Sequence, residues 1–134
     1  MTVVLDASVV IAALVGTDGS STWAEEQLLA GRLAAPHLLP VEVASQLRRA
    51  VATGQISTDV GSLAMADLRD LPITYYDAAS VLDRIWDLRG SVTTYDAWYV
   101  ALAEALDAPL ATLDLRLTRA PGPTCQFLTG EGSA

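Results

Sequence analysis

The run Thr2-Val3-Val4-Leu5 is apolar or β-branched at every position instead of every second one, and it halts on a carboxylate, Asp6. An alternating strand keeps one face in water, whereas a strand apolar throughout is covered on both faces, as in a parallel sheet packed between helices. The next stretch, Ala7 to Val15, stays apolar and reads as a helix, so Asp6 falls at the carboxyl end of a strand. In open α/β sheets this is the edge at which ligands bind.

The rest of the chain repeats the alternation. After the turn from Gly16 to Ser20, Ser20 or Ser21 is expected to cap a helix carrying Trp23, Leu28 and Leu29 that stops near Gly31, and Leu33 to Ala35 forms a short strand. A helix from about Leu38 to Ala52 places Leu39, Val43, Leu47 and Val51 on one stripe, with Glu42 beside it and Gly54 as its stop. Ser57 or Thr58 opens a further helix to about Leu71, and Ile73 to Tyr76 is a strand. Asp77 then caps a helix bearing Val81, Leu82, Ile85 and Trp86 that ends at Gly90. The helix from Asp96 to Leu106 is apolar nearly all round, so it must be packed on most sides. Strands at Pro109 to Leu113 and Thr124 to Leu128, with a short turn or helix reaching Arg119 between them, complete the pattern. The expected architecture is α/β: one domain over residues 1–128, three layers deep around a central, mainly parallel sheet, with a frayed tail over 129–134.

Composition narrows the function. A chain of 134 residues can bury roughly two thirds of its unfolded surface in a single core. Its formal net charge of −8 argues against attachment to nucleic acid or membrane through a broad basic surface. It does not exclude a nuclease, which needs only local cations over its site. All 8 basic side chains are arginine, which suits bidentate phosphate contact but is also what compositional bias produces. The lone cysteine, Cys125, cannot form an internal disulfide and reads as a small buried hydrophobe in a cytoplasmic protein. The apolar stretch from Val3 to Gly16 has no basic leader, is interrupted by Asp6 and is too short to span a bilayer, so no membrane partner is expected.

Four carboxylates, Asp6, Glu42, Asp96 and Asp114, stand where apolar elements begin or end. Right-handed crossovers would carry the strand ends to one edge of the sheet, with Asp96 at a helix N-terminus, where the macrodipole tolerates an anion. Carboxylates converging in a partly dry cleft repel one another unless cations hold them, and Mg²⁺ or Mn²⁺ is the simplest choice. Such a site suits phosphodiester hydrolysis. Each acid also has a bland reading: helix cap for Asp6, solvated helix residue for Glu42, helix-end anion for Asp96, turn residue for Asp114. None of these requires the other three. Arg48, Arg49, Arg116 and Arg119 are candidate phosphate contacts, Arg116 first, while Tyr95, Trp98 and Tyr99 could stack on a base or belong to the core.

The segments Val-Val-Leu-Asp6-Ala-Ser8, Val-Glu42-Val-Ala-Ser-Gln-Leu-Arg48-Arg49, Thr-Tyr-Asp96-Ala-Trp-Tyr-Val-Ala-Leu-Ala and Ala-Thr112-Leu-Asp114-Leu-Arg116-Leu, in this order, resemble PIN-domain ribonucleases. More narrowly, the chain is similar to VapC-type toxins of bacterial toxin-antitoxin modules. The resemblance spans nearly the whole chain. It implies a PIN-like fold and Mg²⁺- or Mn²⁺-dependent endoribonuclease activity, with Asp6, Glu42, Asp96 and Asp114 as metal ligands and catalytic acids. It further implies that Ser8 and Thr112 support the acidic pocket and that the protein is a homodimer inhibited by a cognate antitoxin; of the arginines, Arg116 and Arg49 are the ones expected at the RNA substrate on their chemistry alone.

Two rivals stand beside this reading. A haloacid-dehalogenase-like phosphatase also places an aspartate after its first strand, but its second aspartate is replaced here by Ser8 and no lysine exists to serve it. A catalytically silent RNA- or protein-binding module would keep the fold and lose turnover.

Overall fold

The computed structural model describes residues 1–130. Five strands, β1 (Thr2–Leu5), β2 (Arg32–Pro36), β3 (Ile73–Tyr76), β4 (Leu110–Ala111) and β5 (Phe127–Leu128), form one sheet in the order β3-β2-β1-β4-β5 with every neighbouring pair parallel. The helices are α1 (Ala7–Val15), α2 (Gly19–Leu29), α3 (Leu39–Ala52), α4 (Thr58–Asp70), α5 (Leu82–Asp87), α6 (Thr94–Ala105) and α7 (Leu115–Arg119). Helix α1 packs against α2, α3 and α4, while α6 lies on β1, β2 and β4 and against α5. This is the three-layer α/β/α arrangement that an all-apolar first strand requires. Val3, Val4 and Leu5 are fully buried, and so are Ala97, Val100 and Ala103 of α6.

The element boundaries differ from expectation where side chains take over backbone partners. Asp18, not Ser20 or Ser21, caps α2, its Oδ1 accepting from Ser20 N at 3.0 Å. The helix expected from Asp77 to Gly90 is broken: a single 3-10 turn, Ala79–Val81, precedes the six-residue α5. Strand β4 ends at Ala111 and not at Leu113: Thr112 N still reaches Leu128 O at 3.0 Å, but the two amides after it find side-chain acceptors. Leu113 N donates to Ser8 Oγ at 3.1 Å and Asp114 N to Thr112 Oγ1 at 3.0 Å. Strand β5 is likewise short, since Thr124 N is drawn to Glu104 Oε2 at 2.8 Å. The same Glu104 receives Arg84 Nε at 2.6 Å and Nη2 at 3.2 Å, and that Nη2 also reaches Gly122 O at 2.9 Å. This network pins the segment before β5 to the C-terminal end of α6.

Helix α3 ends as its sequence suggests, with Gly54 at φ 78°, a left-handed conformation that an L side chain adopts only with strain. Cys125 is half-buried, and burial pushes its thiol up to about 11, so it stays protonated at neutral pH. Residues 131–134, most of the expected tail, lie outside the described residues. Among those described, no helix is long and apolar enough to cross a membrane.

Candidate active site

Register builds the centre of the site. Leu5 pairs with Ala111, and Asp6 N continues the ladder by donating to Ala111 O at 3.0 Å. The next residues on the two strands, Asp6 and Thr112, therefore stand side by side at the carboxyl edge. Thr112, wholly buried, donates its hydroxyl to Asp6 Oδ2 at 2.8 Å. Ser8 Oγ donates to the same oxygen at 2.8 Å, and Ala7 N donates to Oδ1 at 2.8 Å. Both hydroxyls are also acceptors for the amides of Leu113 and Asp114, so one small network fixes Asp6 and aims the chain that carries Asp114. Ser8 and Thr112, the two residues expected to support the acidic pocket, both bond to Asp6.

The second acid arrives on the neighbouring crossover. Strand β2 leads into α3, whose first turn carries Glu42. Tyr99, buried in the middle of α6, donates its hydroxyl to Glu42 Oε1 at 2.5 Å across 57 residues of sequence. Helix α6 precedes β4, so its N-terminus lies at the same carboxyl edge as Asp6. Thr93 caps it by accepting from Asp96 N at 3.1 Å, which leaves Asp96 in the first turn. Asp114 closes the set as the cap of α7, its Oδ1 accepting from Arg116 N at 3.0 Å and Leu117 N at 3.3 Å.

Electrostatics follow from this crowding. Burial is the main cause that lifts the Asp6 carboxyl above its usual value, against the lowering by Thr112, Ser8 and Ala7, and the charge of Asp114 adds to the rise. Glu42 is also raised, first by burial and then by Asp6 and Asp96, with Tyr99 opposing. Asp96 is raised by burial, Asp6 and Asp114, partly offset by Thr93 and Arg116. Burial and Glu42 together push Tyr99 far above the ordinary phenol range, so it remains a donor. No arginine or histidine lies within ion-pair distance of any of the four; the one salt bridge among the described residues is Arg84 with Glu104.

This donor set consists of hard oxygens lacking a cationic partner, which fits Mg²⁺ or Mn²⁺ and does not fit softer ions. No three Asp, Glu, His or Cys side chains among the described residues stand close enough to enclose an ion by themselves. The four acids therefore form no closed ion cage among themselves, and an ion held here would need water or substrate oxygens as well. A cleft of about 500 Å³ opens beside Asp96 and Asp114, lined also by Arg89, Ser91, Thr93 and Arg116.

Of the two arginines expected at the substrate, Arg116 lies on the lining of this cleft, whereas Arg49 is exposed in the last turn of α3 and outside it. It left Tyr99 open between base stacking and core; burial removes the stacking role and the bond to Glu42 replaces it. The tyrosine on an apolar helix carried no spacing signal for this bond, because Glu42 and Tyr99 meet only through the fold. Arg89 was missed altogether. Trp98 packs on the core, with the only buried side-chain nitrogen or oxygen among the described residues that has no partner, Nε1.

Comparison with known proteins agrees with this architecture. The PIN domain family model matches residues 3–123. Ribonuclease VapC1 of Mycobacterium tuberculosis is 43% identical over 125 residues, covering 92% of this chain and 94% of its own. A VapC ribonuclease of Mycobacterium bovis is 42% identical over 116 residues, covering 87% and 88% respectively. Among solved structures, VapBC2 from Rickettsia felis bound to a DNA fragment from their promoter superposes with a TM-score of 0.68 at 14% identity, covering 96% of this chain and 98% of that one, a likeness of fold. The chain belongs to the PIN-domain family and, within it, to the VapC type.

Proposed function

We propose that this protein is a divalent-metal-dependent endoribonuclease acting as the toxin of a VapBC-type toxin-antitoxin pair. One observation carries the reading: four carboxylates from distant parts of the sequence share one sheet edge with no protein cation paired to them, in a chain 43% identical to a named VapC ribonuclease. Asp6, Glu42, Asp96 and Asp114 would hold Mg²⁺ or Mn²⁺, directly or through water. When bound, the ion supplies positive charge that offsets the charge building on a phosphodiester in the transition state.

The chain's own groups do the rest. Ser8, Thr112 and Ala7 fix Asp6 through three hydrogen bonds, so its orientation is set before substrate arrives. Tyr99 does the same for Glu42. Arg116 offers its guanidinium to a phosphate at the cleft wall. Water attacks phosphorus, the bond to the leaving sugar oxygen breaks, and that oxygen takes up a proton, with no covalent enzyme intermediate. The protein acts in the reducing cytoplasm as a homodimer, and an antitoxin with a basic segment would complement a chain of net charge −8.

The test is cleavage of RNA by purified protein. Wild type should cut in the presence of Mg²⁺ or Mn²⁺ and stop with chelator, and Asp96→Asn should be inactive while remaining folded. Undiminished metal-dependent cleavage by Asp96→Asn, free of contaminating nuclease, would overturn the assignment of the site. Ion binding with no cleavage across a broad RNA panel would instead indicate a silent binding module.

A further inference from the structure

The cleft beside the acids holds charges of both signs that form no ion pair with one another. Asp96 and Asp114 line it and Arg89 and Arg116 line it too, yet none of these four takes part in a salt bridge. Their charges stay available to a ligand. One that brings both an anion and a cation satisfies both signs at once, and a phosphodiester accompanied by its divalent ion is such a ligand.

Arg89 is the better prepared of the two cations. Its guanidinium carbon sits 4.6 Å from the centre of the Trp86 ring, and its Nη1 donates to Trp86 O at 2.9 Å. Stacking and a backbone bond fix the plane of the group and leave other N–H donors free. Fixing it beforehand removes part of the ordering entropy that a long exposed side chain loses on binding. Trp86 itself is largely exposed, at 66%, so it is not there to fill the core. The turn that follows carries Ser91 and Thr93 into the same cleft, adding small polar groups beside the guanidinium. The volume, about 500 Å³, falls within the ordinary range of ligand sites, about 300 to 1,000 Å³.

We infer that Arg89, held by Trp86, binds a phosphate of the RNA strand flanking the scissile bond, so that the substrate runs from the carboxylate edge across the turn at residues 89–93. This rests on the ribonuclease reading above and adds the path of the strand. Arg89 is here a substrate-binding residue, remote from bond cleavage itself.

The experiment compares wild type, Arg89→Gln, Arg89→Lys and a charge control, Arg69→Gln on α4, on one single-stranded RNA that wild type cleaves. Removing a charge-assisted hydrogen bond should raise KM about tenfold or more for Arg89→Gln. Since flanking phosphates are held alike in the ground state and the transition state, kcat should stay within about threefold. The slope of log KM against log salt should fall by about 0.7, the share of one phosphate on a single strand. Arg89→Lys, which keeps charge but not the planar stack, should recover part of the KM, and Arg69→Gln should show none of the effect. Thermal unfolding should be unchanged in all four, as Arg89 is exposed. If Arg89→Gln matches wild type in KM and salt slope while wild type cleaves, the inference fails and the ribonuclease reading stands. An equal rise in KM for Arg69→Gln would also overturn it, by showing a general charge effect. If wild type neither binds nor cleaves any RNA, both fall together.

Discussion

Helix α6 carries a carboxylate near each end, and the two are treated in opposite ways. At its C-terminal end, Glu104 accepts from Arg84 and from Thr124 N, and Arg84 also holds Gly122 O. Burial works to raise its carboxyl, but these donors outweigh it and leave Glu104 below the usual value. At the N-terminal end, Asp96 shares its surroundings with Asp6, Glu42 and Asp114, has no salt-bridge partner, and is raised. The protein therefore neutralises the acid it uses to fasten its last strand, and leaves un-neutralised the acids at the edge where ligands bind. A buried carboxylate without a partner destabilises the fold. At this end three carboxyls are raised and, among the described residues, none of the four acids has a salt-bridge partner, and on that imbalance the proposed cation site rests.

The contrast is sharpest in catalysis. Asp6→Asn or Asp96→Asn should lower kcat/KM by roughly 10³-fold, the scale of removing one preorganised electrostatic group, while Glu104→Gln should cut RNA at close to the wild-type rate per folded molecule. Equal losses at both ends would erase the distinction.

Stability should show the reverse order. Glu104→Ala strips Arg84 and Thr124 N of their acceptor and should cost about 1–3 kcal/mol in urea unfolding, towards the low end because Arg84 is 35% exposed. Asp96→Asn removes an unpaired charge, and without divalent ions it should leave stability unchanged or raise it.

Acid titration gives opposite slopes for the two ends. The cleft acids hold protons more tightly folded than unfolded, so in chelator their contribution is complete below the ordinary carboxylate range and is lost as pH rises through their raised folded values. Glu104 holds its proton less tightly when folded, so its contribution is present above that range and is lost as pH falls through its depressed value. Glu42→Gln should therefore flatten the decline towards neutral pH, and Glu104→Gln the decline in acid. Urea midpoints measured across pH for both variants check this; exchanged effects would contradict it.

The smallest change concerns Tyr99→Phe, which deletes one hydroxyl and its bond to Glu42. A loss of about 0.5–1.5 kcal/mol of stability is expected, with a several-fold fall in kcat from a less restrained Glu42. Urea unfolding and single-turnover cleavage read the two effects separately.

Much of this architecture was legible in the sequence. The all-apolar run before Asp6 marked a strand covered on both faces, and the even cover of apolar residues on α6 marked a helix packed against the sheet. The four acids stood out because each stands where an apolar element begins or ends. What escaped was whatever depends on distant residues meeting: Tyr99 with Glu42, Arg84 with Glu104, and the early ends of β4 and β5, where Ser8, Thr112 and Glu104 replace ladder partners. Arg89 gave no local signal, since its meaning lies in the ring it stacks on and the cleft it faces.

The most direct test of the central claim is calorimetric titration of Mn²⁺ into wild type, Asp96→Asn and Glu104→Gln. Wild type and Glu104→Gln should bind with the same affinity, and Asp96→Asn should be weaker by about tenfold or more, at least the scale set by groups one shell further out. Binding by Asp96→Asn equal to wild type would contradict the account, because the unpaired acids would then have no cation to await.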